Sequence, residues 1–104
     1  MKFYNPLYCE PQLKRKKHMI MWKLKNTKLQ VNVYVILIAT NADQLEILHC
    51  SYLQQPYYQE HPPYIVGITS SMPAAFTIIE ELTREVYAST GTANLKEYLL
   101  THKR

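Results

Sequence analysis

The sequence predicts an α+β fold: a small two-layer sandwich, with a three-stranded mixed sheet packed against an N-terminal basic helix and a long C-terminal helix. Three observations carry this reading. Residues 28–33 alternate polar and apolar side chains and run into an unbroken apolar stretch from Val33 to Ala39, the pattern of a strand that becomes buried on both faces. Residues 64–69 (Tyr-Ile-Val-Gly-Ile-Thr) form a second, shorter apolar run. Residues 72–90 repeat apolar side chains at helical spacing between a serine cap and a glycine stop. At 104 residues, with 47% hydrophobic and 19% charged side chains, the chain can bury one modest core. We therefore expect a single domain over residues 1–104 and exclude disorder throughout.

Each element follows in order. Residues 1–12 hold Asn5-Pro6 and Glu10-Pro11 around Phe3, Tyr4 and Tyr8. Proline lacks the backbone donor and extends its predecessor, so this segment reads as an extended arm, or as a short edge strand. Residues 12–27 place Leu13, Lys17, Ile20 and Leu24 on one helical stripe, widened by Met21; Arg15, His18, Trp22 and Lys25 fall on another face. Ile20, Trp22 and Leu24 also alternate, so a strand turning at Asn26-Thr27 is the rival, but Met, Leu, Lys and Arg favour the helix. The strand at 29–40 stops at Thr40-Asn41-Ala42-Asp43, a turn composition. Residues 45–49 can return as its antiparallel partner, followed by a short helix or turn at Ser51–Tyr58; one helix from Ala42 to Tyr58 is the alternative. Pro62-Pro63 marks a loop before strand 64–69. Ser71 then caps the long helix, with Pro73 in its first turn. Its buried stripe is Ala75, Ile79, Leu82 and Val86, widened by Phe76 and Ile78. Gly91 ends it, and Asn94 and Glu97 are spaced as a capping box for a final short helix with Leu95, Tyr98 and Leu99.

Composition excludes several function classes. No apolar run reaches the ~18 residues of a membrane-spanning helix, and the first residues lack the apolar core of a secretory signal. Cys9 and Cys50 are too few for a disulfide framework, so a reduced, cytoplasmic protein is expected, although a single Cys9–Cys50 bridge stays open. No pairing of these cysteines with His18, His49, His61 or His102 has metal-ligand spacing. No serine, histidine and acid set matches a catalytic motif, and no cofactor fingerprint is present. Charge is informative instead. Residues 1–28 hold eight lysines and arginines against one acid, Glu10, for a net +7, whereas residues 29–104 carry a net −3.

Four segments together carry a resemblance. They are residues 14–24 (Lys-Arg-Lys-Lys-His-Met-Ile-Met-Trp-Lys-Leu), residues 33–38 (Val-Tyr-Val-Ile-Leu-Ile), residues 64–69, and the helix end Glu85-Val-Tyr-Ala-Ser-Thr-Gly91. In these the chain resembles a group of small uncharacterised bacterial proteins. The resemblance implies a free-standing cytoplasmic protein and transfers no catalytic residue.

Three candidate sites remain. The first is the strand–helix junction of Gly67, Thr69, Ser70, Ser71 and Pro73, where free N–H groups and hydroxyls suit an anion or nucleotide; its bland counterpart is simple capping by Ser71. The second is the basic stretch Lys14, Arg15, Lys16, Lys17, Trp22 and Lys25, continuing to Lys28, which suits nucleic acid or an acidic partner; Trp22 in the core would argue against it. The third is the tyrosine set Tyr52, Tyr57, Tyr58 and Tyr64 with His61, which suits protein contact. The leading expectation is a binding or regulatory protein acting through protein–protein contacts. A homodimer is expected, because a three-stranded sheet leaves its edges open.

Overall fold

A computed structural model of the chain describes residues 1–26, 28, 30, 32–39 and 44–101. The class is α+β, with a mixed sheet of four strands in the order β1-β4-β2-β3. The strands are β1 (Lys2–Cys9), β2 (Tyr34–Ile38), β3 (Leu45–His49) and β4 (Tyr64–Thr69). The helices are α1 (Lys17–Lys25), α2 (Pro56–Glu60), α3 (Met72–Thr90) and α4 (Leu95–Thr101). Two 3-10 turns, Pro11–Lys16 and Cys50–Gln54, lead into α1 and α2.

The fourth strand corrects the expected count of three. Residues 2–9 are not a loose arm: they pair in parallel with β4, Lys2 opposite Tyr64 and Cys9 opposite Ile68. The pairing shifts register between Phe3 and Tyr8, around the cis Asn5–Pro6 peptide. Proline cannot donate to a ladder, and β1 has neighbours on one side only, which is where a strand tolerates it. Gly67 makes the close approach of β1 feasible. A Cβ there would lie 3.1 Å from Ile36 Cδ1 and 3.2 Å from the Tyr8 carbonyl oxygen.

The β2–β3 pair is the expected antiparallel hairpin, with Ile36 opposite Ile47. Its turn at Thr40–Asp43, and Leu29 and Val31 of the strand's first half, lie outside the described residues. Ser51–Tyr58 divides between the second 3-10 turn and α2. The basic segment begins as a 3-10 turn and becomes α-helical only at Lys17.

The two expected layers become three, because helices cover both faces of the sheet. Val35, Leu37, Ile65 and Ile68 face Ile20 and Leu24 of α1 and Leu53. Ile36, Ile38 and Val66 face Ala75, Leu82 and Val86 of α3 and Leu95 and Leu99 of α4. A strand with neighbours on both sides and both faces covered is apolar at nearly every position, which is why β2 and β4 read as near-continuous apolar runs. Phe76, expected to widen the α3 stripe, is 56% exposed, while Ile78 and Ile79 pack partly against the core. The ends of α3 follow the sequence: Ser71 Oγ accepts from the Ala74 N–H at 3.2 Å, and Gly91 sits at φ 75°. At the start of α4, Asn94 Oδ1 accepts from the Glu97 N–H, and the Asn94 side-chain NH2 donates to the Glu97 carboxylate.

Candidate functional site

At the strand–helix junction the polar groups are engaged within the chain. The Ser70 N–H donates to Glu10 Oε1 at 3.0 Å, and the Ser70 hydroxyl donates to the same oxygen at 2.6 Å. Gln12 donates to both Glu10 and Ser70. Thr69, fully buried, donates its hydroxyl to the Ser71 carbonyl, and Ser71 caps α3. The anion beside this helix start is thus the protein's own Glu10. Burial pushes that carboxyl up, but hydrogen bonds from the Ser70 and Gln12 side chains and the Ser70 backbone outweigh it and hold it below the usual carboxylate range. Gly67 lies beneath β1, in the strand rather than at the helix start.

The basic segment presents its charges outward. Lys14, Arg15, Lys16 and Lys25 are exposed, and Lys17 is half-buried. Ile20 and Leu24 turn into the core, leaving His18, Met19, Trp22 and Lys25 of α1 exposed. Trp22 is 57% exposed and Met19 48% exposed. The Lys25 ammonium sits 5.5 Å from the Phe3 ring centroid, tethering the end of α1 to β1.

The tyrosine set divides. Tyr57, Tyr58 and Tyr64 line a cleft of about 640 Å3 over the end of the sheet, between α2 and α4; Tyr52 is not among the lining residues. Leu37, Ile38 and Ala39 form its apolar wall, Pro62 and Pro63 continue it, and Lys96 and Leu100 contribute from α4. Tyr57 stacks on His61 with centroids 4.7 Å apart and planes at 21°, and meets Tyr58 edge-on at 5.0 Å. The His61 Nδ1 lies 3.2 Å from the Tyr57 carbonyl oxygen. Burial, followed by the nearby Glu46 charge, pushes the Tyr58 pKa up. A smaller groove of about 140 Å3, lined by Lys25, Met1 and Leu53 among others, shares Tyr58, Pro62 and Pro63 with the cleft.

Sequence reasoning missed Glu46, Leu100 and Met19. Glu46 is the one charged residue of β3 and stands opposite Leu37, so the hairpin register delivers it to the cleft. Leu100 had no signal, since α4 meets α2 only through the tertiary fold.

Both cysteines are free thiols, Cys50 buried and Cys9 half-buried, with burial pushing both pKa values up. His49 and Cys50 part ways: the ring packs edge-on against Tyr34 and accepts from the Ser51 N–H, while the Cys50 thiol donates to the Gln30 carbonyl. Among the described residues no three His, Cys, Asp or Glu groups could hold a metal ion, and no helix is long and apolar enough to cross a membrane. His102 lies outside them. Compared with known protein families, characterised proteins and solved structures, the chain matches none.

Proposed function

We propose that the protein binds single-stranded nucleic acid through the exposed face of Pro11–Lys25. The observation that supports this is Trp22, 57% exposed within a stretch that carries lysine and arginine and no acid from Pro11 to Lys28. An indole in that position contributes little to the core, yet it offers a face on which an unstacked base can lie. The flanking cations neutralise phosphates and gain affinity by releasing counterions. Glu10, the only acid in residues 1–28, accepts its hydrogen bonds from Ser70 and Gln12 and leaves the segment a net +7. A duplex keeps its base faces stacked, which is why the reading names a single strand.

Trp22 is the only tryptophan, so its fluorescence reports binding directly. Titration with a short oligonucleotide should quench it, and affinity should fall steeply between about 50 and 200 mM salt. Trp22→Ala, followed by a labelled strand, should weaken binding by roughly 5- to 150-fold. Replacing Lys14, Arg15 and Lys16 by alanine should flatten the log–log salt slope by about 2. Salt-independent binding overturns the proposal. So does binding to anionic vesicles with none to oligonucleotides, because an exposed tryptophan among lysines also suits a lipid surface.

A further inference from the structure

We propose that the cleft between α2, α4 and the end of the sheet is a separate binding site for a nucleobase that bears an exocyclic amino group. Its volume of about 640 Å3 lies within the range that holds small ligands, roughly 300–1,000 Å3. The lining combines flat aromatic surface with two opposite charges, Glu46 and Lys96. Tyr57, 46% exposed, and His61, also exposed, form a ready-stacked pair beside which a planar heterocycle gains stacking area. Leu37, Ile38 and Pro63 supply an apolar wall.

Glu46 selects among planar rings. A carboxylate accepts hydrogen bonds and donates none, and Glu46, in the lining beside Tyr58, offers about four lone-pair positions. It therefore favours an amino group, as on cytosine, and repels the carbonyl edge of uracil or thymine. With Glu46 set against Lys96 in the lining, the cleft carries no net charge that would hold a phosphate. The adjoining groove lined by Lys25 gives that phosphate a place outside it, past Tyr58 and Pro62.

The base can belong to a free nucleotide or to a strand lying on α1; only the second source rests on the function proposed above. Titration with cytidine and uridine monophosphates, followed by NMR shifts of cleft residues, tests the site itself. Cytidine monophosphate should bind about tenfold more tightly than uridine monophosphate. Glu46→Gln should erase that ratio, and Leu100→Trp, at a 42% exposed position on the rim, should abolish binding without disturbing the core. Equal binding of the two nucleotides, no binding of either, or nucleotide binding unchanged in Leu100→Trp overturns the proposal.

Cytosine and thymine oligonucleotides on the wild type and on Trp22→Ala separate the sources. Cytosine-strand preference lost in both Trp22→Ala and Leu100→Trp places the base on a bound strand. Nucleotide binding in the cleft with no oligonucleotide binding supports the free nucleotide and removes the strand reading alone. Oligonucleotide binding that ignores base identity and Leu100→Trp, with no nucleotide in the cleft, removes the cleft proposal and leaves the strand reading standing.

Discussion

Glu10 ties the start of the basic segment to the start of α3 through Ser70, a residue sixty positions later. Hydrogen bonds to a charged group contribute about 1.5–3 kcal/mol when well shielded, and less at a half-buried site. We expect Glu10→Ala to lower stability by about 1 kcal/mol in urea denaturation near neutral pH. The pH dependence has a definite sign. The folded carboxyl titrates below its unfolded value, so the contribution is full above the ordinary carboxylate pKa and is lost as pH falls through the folded one. Between about pH 6 and pH 3 the wild type should therefore lose more stability than Glu10→Ala. Identical acid slopes for the two proteins would show that the Ser70 bonds add nothing to folding. Tyr8 differs in kind: burial and the neighbouring Glu85 charge push its pKa up, so its hydroxyl remains a donor, 3.4 Å from the Glu85 carboxylate.

Among the elements, β1 depends on the least forgiving contact. Gly67→Ala would press a methyl against the Tyr8 carbonyl and the Ile36 side chain, and backbone yields less readily than a side-chain tip. We expect a loss of about 1–3 kcal/mol, with amide exchange accelerating first in residues 2–9. Uniform acceleration across all four strands would place the strain elsewhere. The same contrast explains what could be read from the sequence. The bounds of α3 were legible because Ser71, Pro73 and Gly91 act within a few residues of the helix they delimit. Pairing of β1 was not, because its partner lies more than fifty residues away and Pro6 masks the strand pattern. The cleft was half legible. Three of its tyrosines stood out by composition, but Glu46 and Leu100 reach it only through the hairpin register and the docking of α4. Phe76 misled because helical periodicity places a residue near a face without showing where that face ends.

At the scale of the molecule, β4 lies between β1 and β2 and joins the N-terminal strand to the hairpin. A fragment ending before Tyr64 would leave β1 without a partner and Val35 and Leu37 without Ile65 and Ile68. We expect residues 1–60 alone to show no cooperative thermal transition; a sharp one would mean that α1 and the β2–β3 hairpin suffice as a core. The parallel β1–β4 contact also has a consequence for how the chain is made. At about 5–20 residues per second, a ribosome that has finished Lys28 needs about 2–8 s more to complete Thr69. For that interval the most cationic segment of the protein is a nascent chain whose sheet still lacks β4, exposed to any polyanion near the exit tunnel. Docking of the basic segment is therefore deferred by the fold itself until β4 has emerged.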